Sequence, residues 1–302
     1  MAQTTYDVSH DETLKWHVGD KAYCLHIMQD DDPDSPIEDT DIVHLAFFGR
    51  HKGMGNDDRT TKLTPDEYLV QLCRDHVDPA SVMDKIRNGQ IPEIHVKTEH
   101  DGLVTFKDVT NNDEFECVHP ESVIDVLADN WTITHCLKML DEYVHIQKVW
   151  AYEHSGITIS TGTDQNPYND QFDSGWLGFA FITKQDIITN WPDCDDNWKE
   201  KAANIINATV EEYDTYLNGD VYGYNLYETK LSNADANQDD TDKEPDWEQT
   251  ESCWGFIGTD IIQSGLAESV GNGLTEAIKD GRIKSGTVKT MVITTYLFGQ
   301  PE

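Results

Sequence analysis

The sequence predicts an α+β protein with a mixed, mainly antiparallel sheet, packed helices and two subdomains. Strand-like and helix-like segments follow one another without the regular spacing of βαβ units, which argues against a doubly wound parallel sheet. The chain has 302 residues, of which 37% are hydrophobic, with eight Trp and twelve Tyr, and these can supply a buried core. The residue pattern changes near Val144, so we place the subdomain boundary between residues 143 and 144.

The N-terminal subdomain, residues 1–143, combines predicted strands and helices. Two strand-like segments, KAYCLHIM and IVHLAFF, flank an acidic turn that contains two prolines. Two helices follow, each with a capping residue before a proline at the first helical position: Thr64 before Pro65, and Asp78 before Pro79. We expect a strand pair in PEIHVKTEHDGLVTFKDV and helical structure from there to about residue 143.

The C-terminal subdomain, residues 144–302, is predicted to contain an aromatic-rich antiparallel sheet. Its strand-like segments are VHIQKVWAYEHSGITIST, DSGWLGFAFIT, DVYGYNLYETK, SCWGFIGTD and, at the end, TVKTMVITTYLF. An amphipathic helix is expected over residues 195–217, because apolar residues recur there every three to four positions. A further helix is expected near residues 259–279. The acidic loop 230–251 joins two of the aromatic strands and is far longer than the usual hairpin loop of about 2–5 residues.

The dominant feature of the composition is a net charge of −35. The chain up to Trp150 has 13 basic and 30 acidic residues and the remainder has 9 and 27, so both halves carry the excess. Three interpretations remain open: adaptation to high salt, mimicry of the DNA backbone, and binding of multivalent cations by converging carboxylates. All three argue against direct binding to nucleic acids or to anionic membranes.

The acidic residues are the first candidate binding surface. They concentrate in the turn after KAYCLHIM and in the acidic loop, at Asp30, Asp31, Asp32, Asp34, Asp239, Asp240 and Asp242. Asp235, Asn237 and Asp239 have the spacing of the first ligands of a calcium loop. Asp240 stands where the sharp turn of such a loop needs Gly, and Asp246 where a bidentate Glu is usual. We therefore predict no metal and no cofactor.

Two further groups of side chains are candidates for chemistry or ligand binding. His154, Ser155 and Asp173 are of the types that nucleophilic catalysis uses, although a polar, glycine-rich turn also explains them. The aromatic residues Trp176, Tyr222, Tyr224 and Trp254 could line a ligand pocket. Packing of aromatic rings against glycines in a cross-strand core is the alternative for this second group.

Four segments carry a family resemblance: YEHSGITIST, DSGWLGFAFI, VEEYDTYLNGDVYGY and SCWGFIG. A looser match, DDDPDSPIEDTDIVHLAFFGRHKGMGND, lies near the N-terminus. Together they resemble a family of uncharacterised acidic proteins of tailed phages and mobile genetic elements. The resemblance implies an accessory role toward host machinery, including inhibition of restriction or other defence, and it brings no catalytic residues.

These observations predict a non-enzymatic accessory protein of a virus or mobile element that binds a host protein with a basic surface. One role that fits this prediction is inhibition of restriction or other anti-phage defence by mimicry of DNA. The alternatives are a hydrolase or nucleotide-modifying enzyme from a salt-adapted source with a site near His154, and a structural component of the virion. The N-terminal residues have no basic and apolar signal pattern, so we expect the protein in the host cytoplasm and not at a membrane. The sequence indicates no oligomeric state.

Overall fold

The structure, a computed structural model, describes residues 5–8, 11–37, 42–48, 60–101, 103–110, 112–117, 119, 122–128, 133–162, 165–168, 170, 172–194, 196–234 and 247–286. Its strands are β1 (Glu12–Val18), β2 (Lys21–Gln29), β3 (His44–Phe48), β4 (Thr60–Thr61), β5 (Ile94–His100), β6 (Leu103–Asp108), β7 (Glu114–Cys117), β8 (Val144–Glu153), β9 (Ile157–Gly162), β10 (Ser174–Thr183), β11 (Val221–Lys230), β12 (Glu248–Ile257) and β13 (Lys284–Gly286). Its helices are α1 (Pro65–His76), α2 (Pro79–Arg87), α3 (Val123–Ala128), α4 (Ile133–Leu140), α5 (Lys184–Asn190), α6 (Trp198–Leu217), α7 (Leu231–Ala234), α8 (Leu266–Val270) and α9 (Leu274–Lys279). Helices combined with mainly antiparallel sheets confirm the α+β class.

The chain forms two compact units. The terminal unit combines residues up to 38 with residues from 215 onward, and the central unit comprises residues 39–214. This division differs from the predicted boundary between residues 143 and 144, which falls inside the central unit. The reason is long-range strand pairing: β8, which begins at Val144, pairs with β10, whereas β2 pairs with β11.

The terminal unit is a five-stranded sheet in the order β12-β11-β2-β1-β13, with every neighbouring pair antiparallel. One face carries a row of apolar residues, in which Leu14 is opposite Leu25 and Leu25 is opposite Leu226. This face packs against α8 and α9 through buried residues such as Leu266 and Leu274. The predicted hairpin between the two aromatic strands is confirmed as the β11–β12 pair.

One predicted helix of the terminal unit is interrupted, and two predicted segments lie outside the described residues. The helix expected near 259–279 occurs as α8 and α9, because Gly271 and Gly273 adopt positive φ and interrupt it. The segment TVKTMVITTYLF and residues 235–246 of the acidic loop lie outside the described residues.

The central unit contains a sheet in the order β4-β3-β10-β8-β9 and a smaller sheet in the order β5-β6-β7. Helices α1 to α4 share one hydrophobic core with β5, β6, β8 and β10. Helix α6 begins three residues later than predicted and ends at Leu217 as predicted. It packs on the large sheet, where Tyr213 stacks on Phe47 at 6.4 Å between ring centroids and Asp214 accepts a hydrogen bond from the backbone N–H of Ile159.

The predicted helix caps are present. Thr64 and Glu67 form a reciprocal capping box at the start of α1, and the Asp78 side chain accepts a hydrogen bond from the backbone N–H of Ala80 at the start of α2. Within the described part of the chain, every helix is too short or too polar to cross a membrane.

Candidate functional site

The structure brings His154 and Asp173 together. His154 lies just after β8 and Asp173 just before β10, and these strands are antiparallel neighbours. The Nδ1 atom of His154 is 2.9 Å from Oδ2 of Asp173. The side chain of His154 is 70% exposed and that of Asp173 38% exposed, so the pair lies at the surface. The structure thus brings two of the three candidate catalytic residues within hydrogen-bond distance of each other.

Ser155 does not complete a catalytic arrangement. It lies in the exposed bend after β8 and forms no hydrogen bond with His154. A serine nucleophile needs a base within hydrogen-bond distance and donors for the oxyanion. The Nδ1 atom of His154 faces Asp173, and the geometry therefore provides an oriented imidazole without a paired nucleophile.

An aromatic residue lies against His154. Tyr152 on β8 stacks on His154 with ring centroids 6.3 Å apart, and the ring of Tyr168 lies 5.7 Å from that of Tyr152. Phe172 is 97% exposed, the highest value among the exposed large hydrophobic side chains. We call the set Tyr152, His154, Tyr168, Asp170, Phe172 and Asp173 the aromatic–carboxylate patch.

Asp170 holds the turn that presents Phe172. Its Oδ1 atom accepts hydrogen bonds from the backbone N–H groups of Phe172 (2.7 Å) and Asp173 (2.8 Å). These hydrogen bonds, together with the nearby His154, lower the pKa of Asp170, so this carboxylate stays ionised. Phe172 and Asp170 were not predicted as site residues. The sequence feature that could have indicated these two residues is a single aromatic residue inside the polar segment NDQFDSG.

The acidic turn after β2 forms a second surface, in the terminal unit. Asp31, Asp32 and Asp34 are exposed there and Asp30 is partly exposed. Two other segments bring Asp11 and Asp220 to the same end of the sheet: Asp11 accepts a hydrogen bond from the backbone N–H of Gln29, and the carbonyl of Val221 accepts one from the N–H of Asp30. We call these six aspartates the acidic cluster.

Burial and two aspartates of the acidic cluster raise the pKa of the Tyr222 hydroxyl. Burial has the largest effect, and Asp220 and Asp11 raise the pKa further. Among the ion pairs of the described residues, none involves a member of the cluster. The predicted acidic surface is thus present at Asp30, Asp31, Asp32 and Asp34, and Asp11 and Asp220 extend it.

The remaining acidic candidates belong to the loop. Asp235, Asn237, Asp239, Asp240 and Asp242 lie outside the described residues. Within the residues that the structure describes, no group of three or more His, Cys, Asp or Glu side chains is arranged to hold a metal ion. The carboxylates of the acidic cluster accordingly spread over a surface and do not converge on a point.

The four aromatic candidates are divided between the two units. Trp176 belongs to the central unit, where it packs on Phe48 (5.5 Å) and Phe179 (5.0 Å). Tyr222 and Tyr224 are buried in the terminal unit, and Trp254 on β12 is 48% exposed. The ring of Trp254 covers Gly223, where a Cβ atom would lie 2.1 Å from the ring. Gly223 and Trp254 therefore fit the alternative to a ligand pocket, in which aromatic rings pack against glycines.

A cavity of about 1030 Å³ in the central unit was not predicted. It opens where β10 ends and is lined by residues of separate segments, among them His44, His76, Asp186 and Trp198. Its charged groups have partners: Lys199 pairs with Asp141 at 2.7 Å, and Lys85 pairs with Glu142 at 2.9 Å. No local sequence pattern predicts this cavity, because its walls meet only in the folded chain.

The environment of one histidine of the cavity, His44, disfavours its charged form. The ring of His44 stacks on Phe181 at 4.8 Å. Partial desolvation by the surrounding side chains lowers the pKa of His44, and His76 adds to the effect while Asp186 opposes it.

The comparisons with known proteins add no functional assignment. No protein-family model, no curated protein and no solved structure matches the chain.

Proposed function

We propose that this protein is a non-enzymatic accessory protein of a virus or mobile element that binds a basic host protein through its acidic surface. The observation that carries the proposal is the acidic cluster, in which six aspartates from three chain segments lie at one end of a sheet. None of the six takes part in an ion pair with another described residue. Uncompensated carboxylates attract a basic surface and accelerate its association. The host cytoplasm is the place where such a partner would be met.

The chemistry of the site supports binding in preference to catalysis. The carboxylates spread over a surface, which suits a protein partner better than a single ion. Among the described residues, the hydrogen bond of His154 is with Asp173 and not with a candidate nucleophile. A host factor that handles DNA, such as a restriction or other defence complex, presents a basic surface of this kind, and the acidic protein would occupy it as a mimic of the DNA backbone.

The test is a binding assay with purified host restriction and defence complexes at about 50 mM and about 300 mM KCl. We expect association that weakens at the higher salt and that duplex DNA competes away. Absence of binding to every such complex at the lower salt would exclude the proposal.

A charge-matched pair of variants locates the binding surface. Replacing Asp31, Asp32 and Asp34 together by Asn removes three charges from the acidic cluster and should weaken binding by about tenfold. The control removes three exposed charges from the central unit, with Asp101→Asn, Glu116→Gln and Asp193→Asn. Equal loss of binding in both variants would show that only the total charge matters.

A hydrolase or nucleotide-modifying enzyme is the second candidate, and the 2.9 Å contact between His154 and Asp173 favours it. His154→Ala should then abolish biological activity while the protein stays folded. The matched control is His100→Ala, because His100 forms a similar surface pair with Asp101 at 3.1 Å. Unchanged activity in His154→Ala removes the enzymatic hypothesis.

A further inference from the structure

The aromatic–carboxylate patch contains an exposed aromatic residue, Phe172, that lies between Asp170 and Asp173 in the chain. Phe172 is 97% exposed, although the turn that carries it is fixed by two hydrogen bonds to Asp170. Exposing a large apolar ring in a fixed turn costs free energy, and aromatic anchors of this kind are typical of protein–protein interfaces. The ring is therefore positioned for contact with another molecule.

The carboxylates of the patch keep free acceptor atoms. Asp170 uses Oδ1 for the backbone N–H groups, and Asp173 uses Oδ2 for His154. Their other oxygens, Oδ2 of Asp170 and Oδ1 of Asp173, form no hydrogen bond with another described residue. Phe172 lies between these two residues in the chain. One short segment therefore carries both an exposed aromatic ring and two carboxylate acceptors.

The chemical group that fits these features is a guanidinium. A planar guanidinium stacks on aromatic rings and donates paired hydrogen bonds to carboxylate oxygens. A lysine ammonium is a compact, strongly hydrated point charge that makes poorer use of both features. The net charge of −35 further favours a cationic ligand over a neutral one.

We propose that the aromatic–carboxylate patch binds an arginine side chain of a basic protein partner, with Phe172 as the stacking surface and Asp170 and Asp173 as the acceptors. This inference rests on the proposed function, in which the protein binds a basic partner. The patch would be the contact that distinguishes arginine-rich partners from other basic ones. The acidic cluster attracts cations of either kind, and the patch supplies the preference for arginine.

The probes are two fluorescently labelled peptides of equal length and charge, in which glycine alternates either with arginine or with lysine. Binding to the full-length protein is measured by fluorescence anisotropy at about 50 mM KCl. Long-range attraction is the same for both peptides, so their affinity ratio reports stacking and paired hydrogen bonds. We expect the arginine peptide to bind about threefold to tenfold more tightly.

Two variants test the patch. Phe172→Ala and Asp173→Asn should each bring the ratio of affinities close to one by weakening the arginine peptide, with little change for the lysine peptide. The chain offers a matched control in the turn between β5 and β6, where Asp101 pairs with His100 and Leu103 is 37% exposed, without an aromatic ring stacked on the pair. Asp101→Asn and Leu103→Ala should leave the ratio unchanged.

The outcomes separate the two proposals. Equal binding of both peptides to the unmodified protein, or a ratio that survives both patch variants, overturns the arginine site and leaves the proposed function standing. Equal weakening of both peptides by Phe172→Ala also overturns it, since the ring would then be a general apolar contact. Failure of both peptides to bind at low salt overturns the proposed function as well.

Discussion

At the scale of single residues, two glycines set how closely neighbouring strands and rings pack. A Cβ atom at Gly178 on β10 would lie 2.0 Å from the carbonyl oxygen of Ala46 on β3. A Cβ atom at Gly223 would meet the ring of Trp254. The first obstacle is backbone within a sheet and cannot move without breaking strand pairing, whereas the second is the ring of a half-exposed side chain.

Gly178→Ala should therefore lower the free energy of unfolding by about 3 kcal/mol, the upper end of the usual cost of overpacking. Gly175→Ala on the same strand is the control, because a Cβ atom there meets nothing within 4 Å. We expect the control to change stability by less than about 0.5 kcal/mol. Urea unfolding followed by circular dichroism measures both, and equal stabilities would contradict the close approach of β10 and β3.

His26 on β2 provides a pH-dependent contribution to stability. Its ring lies 5.1 Å from that of Tyr227 on β11. Burial, and secondarily the charge of Lys15, lowers the pKa of His26 below its ordinary value of 6.5. Between the folded-state pKa and 6.5 the unfolded chain binds more protons at this residue, so its contribution destabilises the fold as pH falls.

Replacing His26 by Gln should remove that penalty. The variant should gain stability relative to the unmodified protein as pH is lowered from about 7.5 to about 5.5, the range in which an unfolded histidine becomes protonated. Urea unfolding at several pH values gives the difference, and NMR titration of the imidazole should show a pKa below 6.5. A stability difference that stays constant with pH would contradict the lowered pKa.

At the scale of elements, α1 shows how a few local residues fix a helix start. The Oγ1 atom of Thr64 accepts a hydrogen bond from the backbone N–H of Glu67 at 3.4 Å. The Oε2 atom of Glu67 accepts one from the backbone N–H of Thr64 at 2.8 Å. Helix α1 contributes Leu69, Leu72 and Cys73 to the core of the central unit, so loosening its first turn affects that core.

Thr64→Ala should reduce the free energy of unfolding by about 1 kcal/mol, because it leaves a helix N–H without its acceptor. Thr64→Ser retains the hydroxyl and should keep most of the stability. Thermal unfolding of the two variants side by side is the measurement. Equal destabilisation by Ser and Ala would mean that the methyl group of Thr64, and not its hydroxyl, is what matters.

The same elements show how much of the fold the sequence could predict. The starts of α1 and α2, the long α6 and the β11–β12 hairpin follow from capping residues, apolar periodicity and neighbouring segments, all of which are local. The pairing of β2 with β11 joins strands about 190 residues apart, as the contact between Gln29 and Gly219 illustrates. No local pattern encodes such a partner, and the subdomain boundary at 143/144 differs from the structural division for this reason.

The candidate site was predictable in part, for similar reasons. His154 and Asp173 were selected by residue type, and the pairing of β8 with β10 explains why they meet. Trp176 was grouped with Tyr222 and Tyr224 because all belong to similar glycine–aromatic segments. They belong to different sheets, since β10 pairs with β3 and β8, and β11 pairs with β2 and β12.

At the scale of the whole molecule, the charge excess is spread over both units and is little compensated. The ion pairs of the described residues are largely exposed, as in Arg74–Asp125 and Arg87–Glu99, and exposed pairs contribute about 0–1 kcal/mol each. Stability must therefore come from the hydrophobic cores of the two units. A protein that works in an ordinary host cytoplasm has to tolerate this repulsion without high salt.

We expect the protein to remain folded at about 10 mM KCl, where screening extends over about 30 Å. Raising KCl to about 1 M should increase the Tm by no more than about 5 °C, equivalent to about 1–2 kcal/mol. Circular dichroism melting curves over this range provide the test. Unfolding at the lowest salt would instead identify a salt-adapted surface and weaken the case for DNA mimicry.

The terminal unit is built from two segments that are far apart in the chain. This arrangement determines the order in which the two units can form during synthesis. When β2 leaves the ribosome, its partner β11 is still about 190 residues away, a delay of about 10–40 s at usual rates of translation. The central unit, continuous over residues 39–214, has all its strands available earlier. Ribosome-bound chains that are just long enough for residue 214 to have left the exit tunnel should thus yield a protease-resistant central fragment while β1 and β2 are still digested.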